Sequence, residues 1–145
     1  RATSAPAEHL VGRKLCQIPW GVYGSLSYIE AHGRPETLND LEHHHLIGGS
    51  GAMLNLPGFD WIKTHYGNAI TMTCDELTAM SYFAEHGHGL AFLPDDQSRD
   101  EIIRLFDYLP GKTSDLWLLT HPDLRKVERI RLVMNYLAER FAHLF

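Results

Sequence analysis

The sequence predicts a globular α/β domain in which most strands are parallel. Short apolar segments with strand character alternate with segments that have helical periodicity, as expected for layers of helices on a sheet. A content of 44% hydrophobic and 21% charged residues in a chain of 145 is typical of one domain, or one and part of another. The net charge of −5 comes without a dense basic patch, which argues against direct binding of nucleic acid.

The first part of the chain contains two strand candidates. Residues 15–24 (LCQIPWGVYG) are rich in aromatic and β-branched types, and a short helix is expected from Ser25 to the glycine at position 33. TLNDL predicts a helical turn that leads into the strand candidate HHHLIGG, and residues 50–67 are expected to be irregular.

The middle of the chain gives the clearest local signals. AITMT predicts a strand, and Thr73 and Glu76 have the spacing of a capping box, so a helix is expected from there to about His86. GLAFLP predicts a buried strand. Asp95, Asp96 and the S-x-x-E spacing after them predict another helix toward Arg104.

The C-terminal part predicts one strand (SDLWLLT) and one long amphipathic helix. Apolar residues in that helix recur three and four positions apart and therefore share one face. The residues of this stripe are Val127, Ile130, Met134, Leu137 and Phe141.

In parallel sheets, ligands bind at the carboxyl ends of strands, where helix N-termini also lie. That rule predicts that one sheet edge brings together six effector-binding residues: Ser25, Thr73, Cys74, Asp75, Phe92 and Pro94. For the hydroxyls of Ser25 and Thr73, helix capping is the favoured role, and for Ser25 it is compatible with contact to a ligand. Strand alternation leaves open whether the Phe92 ring turns toward the core. Asp75 and Glu76 weaken the attraction of this edge for an anion.

Other chemistry finds little support in the sequence. His43, His44 and His45 are consecutive and point in different directions, so we expect no metal site and no cofactor. Two distant cysteines fit a reducing compartment; Cys16 is expected in the core, and Cys74 at a helix start with a lowered pKa, which leaves a redox role open. The sequence contains no recognised nucleophile elbow, Walker loop or H-E-x-x-H, so we expect no enzyme.

Three segments, in order, resemble the effector domains of LysR-type transcriptional regulators. WGVYGSLSYIEAHGRPETLNDLEHHHLIG is similar to the family's aromatic strand, Ser, Tyr helix, G-x-P and D-L-x-x-H-x-x-I elements. AEHGHGLAFLP matches A-x-x-G-x-G-[IL]-A-x-[LV]-P, and residues 116–139 match the C-terminal signature.

The resemblance implies a type II periplasmic-binding-protein-like fold with the second lobe complete and the first lobe only partial. Residues 1–18 correspond to the end of the first lobe and the crossover, 19–109 to the second, effector-binding lobe, and 110–145 to the return strand and helix of the first lobe. The partner implied is a small-molecule effector, with DNA contacted only through a helix-turn-helix absent from this chain. A solute-binding protein of a transporter shares the fold and is the alternative.

We also expect a cytoplasmic protein, because there is no export signal or membrane-spanning segment in the sequence as given. The partial first lobe predicts apolar surface exposed around residues 116–141. Self-association, as a dimer in which the C-terminal segment packs against or swaps with a partner's, is therefore expected.

Overall fold

A computed structural model describes residues 6–56, 58–108 and 113–141. Its strands are β1 (Val11–Ser25), β2 (Leu46–Gly49), β3 (Ile70–Cys74), β4 (Ala91–Pro94), β5 (Ile102–Asp107) and β6 (Thr113–Thr120). Its α-helices are α1 (Leu26–His32), α2 (Phe59–Tyr66), α3 (Leu77–Glu85) and α4 (Glu128–Phe141). No helix in the described ranges is long and apolar enough to cross a membrane.

The chain forms two compact units that share strand β1. Unit 1 comprises Arg1–Ile18 and Thr113–Phe145, and unit 2 comprises Pro19–Lys112. The predicted lobe boundary at 109/110 falls on residues outside the described ranges, as do positions 142–145 at the predicted C-terminal end.

Unit 2 is built on a mixed sheet in which four of the five described strands run in the same direction, so the expectation of mostly parallel strands fails only for β1. Strand β1 lies between β4 and β5 and runs antiparallel to both. Strands β2 and β3 are parallel, and a parallel bridge between Leu46 and Leu90 joins β2 to β4. The resulting order is β3, β2, β4, β1, β5, so the one antiparallel strand is the one that enters from unit 1.

Helices α1 to α3 cover this sheet and close a core that is almost free of solvent. Strand β4 is buried along its whole length, as expected for a continuously apolar strand with neighbours on both sides. The helices contribute buried side chains to the same core, among them Tyr28, Phe59, Ile62, Met80 and Ala84.

Two helix predictions in unit 2 are wrong, one at its start and the other throughout. Helix α3 begins at Leu77, because Thr73 and Cys74 are still paired with β2, and the expected capping box of Thr73 and Glu76 does not form. The helix expected from Asp95 toward Arg104 is a 3-10 turn, Asp95–Gln97, followed by strand β5. Pairing with β1 has overridden the local capping signal in that segment.

A third helix was missed altogether. Helix α2 lies within the segment expected to be irregular, and it begins after Gly58, whose φ of 90° is in the left-handed region. Phe59 and Ile62 of this helix are buried, so tertiary packing stabilises it where the local sequence signals gave no indication.

In unit 1, strand β6 pairs with β1, and this pairing requires a glycine. A Cβ at Gly12 would collide with the carbonyl oxygen of Leu118. The carboxylate of Asp115 accepts hydrogen bonds from Lys14 Nζ at 2.8 Å and Gln17 Nε2 at 3.1 Å. Helix α4 has no buried residue, and its predicted stripe, Val127 to Phe141, is half-buried.

Candidate ligand-binding site

The carboxyl ends of β2, β3 and β4 lie at one edge of the unit 2 sheet, and a groove opens beside them. The groove has a volume of about 400 Å³. Apolar and polar side chains share its wall. Its lining residues are Ala52, Met53, Leu56, Asp75, Glu76, Leu77, Thr78 and Gln97.

Each part of the wall follows a strand. Residues of the 3-10 turn Gly51–Asn55 come directly after β2, and the backbone N–H of Ser50 donates to the carbonyl of Cys74 at 2.7 Å, which ties this turn to the end of β3. Asp75 and Glu76 connect β3 to α3. Gln97 closes the turn after β4, and its Oε1 accepts a hydrogen bond from Thr78 Oγ1 at 3.3 Å.

A charged network braces the same edge of the sheet. Asp95 Oδ1, just after β4, accepts hydrogen bonds from Tyr23 Oη at 2.8 Å and Arg104 Nε at 3.0 Å. Arg104 also donates to Asp107 Oδ1 at 2.6 Å and to the carbonyl of Trp20 at 3.2 Å. The network therefore connects β1, β4 and β5 at the end where β1 enters unit 2.

The electrostatics of this network favour the protonation states that the hydrogen bonds need. Burial, followed by the hydrogen bond to Asp95, raises the pKa of Tyr23, so its hydroxyl stays a donor. Burial acts to lower the pKa of Arg104, but the hydrogen bonds to Asp107 and Asp95 outweigh it and raise that pKa. Gly21 leaves room for this arginine, because a Cβ there would be 2.8 Å from Arg104 Nε.

The six predicted site residues do not converge, and Ser25 is the clearest exception. Ser25 pairs with Ile102, whereas Trp20, at the other end of the unit 2 part of β1, pairs with Pro94. Since β1 is antiparallel to β4, its carboxyl end points to the opposite edge of the sheet. The hydroxyl of Ser25 accepts a hydrogen bond from the backbone N–H of Tyr28 at 3.3 Å, which is the helix-capping role.

The remaining five residues lie nearer the groove but differ in how far their side chains are exposed to solvent. Asp75 lines it, and Thr73 is exposed in strand β3. Pro94 is buried at the end of β4, and the ring of Phe92 is fully buried against Tyr108, with ring centroids 4.9 Å apart. Cys74 is buried, and burial together with Asp75 raises the pKa of its thiol, so the expected lowering is wrong.

Sequence reasoning missed Met53 and Gln97, for different reasons. Met53 follows the strand candidate HHHLIGG, so the carboxyl-end rule applied to that strand leads directly to it. Gln97 was hidden by the wrong helix prediction after Asp95. Within the described ranges, no three His, Cys, Asp or Glu side chains come together as metal ligands.

Comparison with known proteins decides the family. The profile of the LysR substrate binding domain matches residues 1–142, which is nearly the whole chain. The chain belongs to the LysR substrate-binding domain family. This family consists of transcriptional regulators and is not an enzyme class.

Solved LysR structures share the fold. The regulatory domain of CrgA, a LysR-type transcriptional regulator from Neisseria meningitidis, is 21% identical with a TM-score of 0.75, over 97% of this chain and 73% of that one. The effector domain of AmpR from Pseudomonas aeruginosa is 20% identical with a TM-score of 0.70, over 98% and 69%. The chain thus has the periplasmic-binding-protein-like fold of LysR regulatory domains.

A curated LysR-type relative is longer than this chain. The probable HTH-type transcriptional regulator LtrA from Klebsiella pneumoniae is 26% identical over 150 residues, which cover 96% of this chain and 48% of the relative. The chain therefore spans about half the length of the curated relative it matches.

Proposed function

We propose that this chain senses a small-molecule effector for a LysR-type transcriptional regulator and does so without catalysing a reaction. The observation that carries the proposal is the groove of about 400 Å³ at the carboxyl ends of β2, β3 and β4, in a chain of this family. Unit 2 would be the second, effector-binding lobe, and unit 1 the described part of the first lobe. DNA would be contacted by a helix-turn-helix elsewhere in the parent protein.

The groove favours an effector that donates hydrogen bonds. Asp75 and Glu76 offer carboxylate oxygens, and no lysine or arginine is among its described lining residues. Met53, Leu56 and Leu77 provide an apolar surface for the body of the same molecule. An amine or polyhydroxyl compound with an apolar part fits this chemistry better than a simple carboxylate does.

A thermal-shift screen of small metabolites against the chain tests the proposal. A ligand present at 100 times its Kd stabilises the folded state by about 2.7 kcal/mol, which raises Tm measurably. We expect amines or polyols among the hits, with Kd raised at least tenfold by Asp75→Asn and unchanged by Ser25→Ala, because Ser25 lies at the opposite edge. Hits that respond to Ser25→Ala and not to Asp75→Asn would refute the groove.

The alternative function is a solute-binding protein of a transporter. The coding sequence upstream of this chain distinguishes the two, because a regulator requires a helix-turn-helix and a solute-binding protein requires a signal peptide. The similarity to an HTH-type regulator favours the regulator.

A third candidate function is a histidine-rich metal-binding module. It predicts tight zinc or nickel binding in calorimetry, and we expect no such binding.

We also propose that the chain self-associates through α4. The large apolar residues that are exposed on α4 are not those of the predicted stripe but Leu132, Val133 and Tyr136, which are 56–58% exposed. A second copy of this chain would cover that face. Light scattering should show a dimer that Val133→Glu converts to a monomer, and a stable wild-type monomer at high concentration would contradict this.

A further inference from the structure

A cluster of histidines surrounds the hydroxyl of Tyr28 at the junction of α1 and the start of β2. Tyr28 is 1% exposed, and its oxygen accepts a hydrogen bond from the backbone N–H of His45 at 2.8 Å. The same oxygen lies 3.2 Å from Nδ1 of His44, which is also buried. These bonds attach α1 to the segment that leads into β2.

The buried position of Tyr28 and His44 favours a neutral His44 whose Nδ1 accepts the hydroxyl proton. The backbone N–H of His45 can only donate, so the Tyr28 oxygen is its acceptor. When Nδ1 of His44 carries no proton, it is the acceptor within reach of the Tyr28 hydroxyl proton, at 3.2 Å. A protonated imidazole carries a proton on both nitrogens. Protonation would therefore point a second donor at the Tyr28 oxygen and leave the buried hydroxyl proton without this acceptor.

Neighbouring groups act on the charge of His44 in both directions. The His32 ring, on α1, stacks on Tyr28 with centroids 4.4 Å apart. Burial lowers the pKa of His44, and His32 lowers it further. Asp40, in the 3-10 turn before His44, raises it, and the adjacent histidines lower it again; these are His43 and His45.

The junction is connected to the groove by a short path. The carbonyl of His45 accepts a hydrogen bond from the backbone N–H of Leu90 at 2.8 Å, so the segment is held by α1 on one side and β4 on the other. A Cβ at Gly89 would lie 2.7 Å from that carbonyl, which makes the close approach dependent on glycine. Strand β2 then has only four residues before the turn Gly51–Asn55 reaches the groove.

We propose that this junction is a proton-sensitive latch, in which protonation of His44 releases the Tyr28 hydroxyl and loosens α1 from the start of β2. Acidification would then destabilise unit 2 and loosen the strand that leads to the groove wall. The latch stands on these contacts alone, and only its use in effector sensing rests on the proposed function.

The sign of the effect follows from proton linkage. The folded state holds His44 with a pKa below its ordinary value of 6.5, so the unfolded chain binds the proton more tightly. Stability is unaffected well above pH 6.5 and falls as the pH drops below that value. The decline ends once the pH is below the folded pKa.

Histidine NMR titration and thermal unfolding between pH 5 and 8 test the latch. In the wild-type chain, the His44 ring should titrate with a pKa below the ordinary histidine value of 6.5. His44→Asn keeps an acceptor near the Nδ1 position and removes the titration, so its Tm should fall less than the wild-type Tm between pH 6.5 and 5. His9→Asn, at an exposed residue in unit 1, should behave like the wild type.

Hydrogen exchange separates the latch from a general acid response. Hydrogen exchange, corrected for the intrinsic effect of pH, should rise first in peptides covering 26–32 and 44–55. Titration of His44 with a pKa at or above 6.5, or an unchanged acid slope in His44→Asn, would overturn the proposal. If His44→Asn does not fold, the wild-type titration and exchange data decide alone. Effector binding that is independent of pH would remove only the link to sensing.

Discussion

The two units contain similar elements but bury their apolar residues to very different extents. In unit 2, residues such as Leu46 and Ile47 are fully buried between the sheet and its helices. In unit 1, α4 has an amphipathic sequence and yet no buried residue among those described. Periodicity thus determines which face of a helix is apolar, whereas burial depends on how many other elements are present to cover it.

The largest expected effect compares one leucine from each unit. Leu46→Ala removes a fully buried side chain and should lower the free energy of unfolding by about 2–5 kcal/mol. Leu132→Ala, at a residue that is 58% exposed, should change it by less than about 0.5 kcal/mol. Urea unfolding monitored by circular dichroism measures both. A large cost for Leu132→Ala would mean that α4 is covered in solution.

How much of the structure the sequence predicts depends on whether a feature is determined by contiguous residues or by pairing between distant segments. The positions of β2, β3, β4, β6 and α4 were predictable because apolar runs and periodicity are properties of contiguous residues. The direction of β1 and the formation of strand β5 depend on pairing between distant segments. Sequence patterns do not specify that pairing. The helix-capping role predicted for Ser25 is therefore correct, whereas the sheet edge predicted for it is wrong.

The second prediction compares a charged contact in each unit. Arg104→Met removes the hydrogen bonds of one guanidinium to Asp95, Asp107 and the carbonyl of Trp20. The loss should be about 1.5–3 kcal/mol, nearer the lower value because the side chain is 33% exposed. Asp115→Asn, which weakens one ion pair with Lys14 in unit 1, should cost less because it does not remove three hydrogen bonds at once.

Urea unfolding in 0.05 M and 0.5 M salt separates these contributions. The Asp115→Asn effect should shrink strongly in the higher salt, because solvent ions screen an ion pair whose lysine is 39% exposed. The Arg104→Met effect should shrink less, because that guanidinium also donates to the neutral carbonyl of Trp20. If both effects vanish together, the network at the end of β4 is no more than a surface ion pair.

The smallest effect concerns two side chains that accept a backbone N–H at the start of a helical segment. Ser25 is 3% exposed and caps α1, whose Tyr28 is buried, so Ser25→Ala should destabilise the chain by about 1 kcal/mol. In unit 1, His121 accepts from the backbone N–H of Asp123 at 3.4 Å, but it caps an exposed turn of three residues. His121→Ala should therefore be nearly neutral in the same urea titration.

Thr73→Val supplies the control within unit 2. It removes the hydroxyl of the capping box that does not form, and it keeps a β-branched residue in strand β3. Its stability should match the wild type. A cost for Thr73→Val equal to that of Ser25→Ala would show that the hydroxyl at position 73 has a structural role after all, and an equal cost for His121→Ala would show that unit 1 holds its turns as firmly as unit 2.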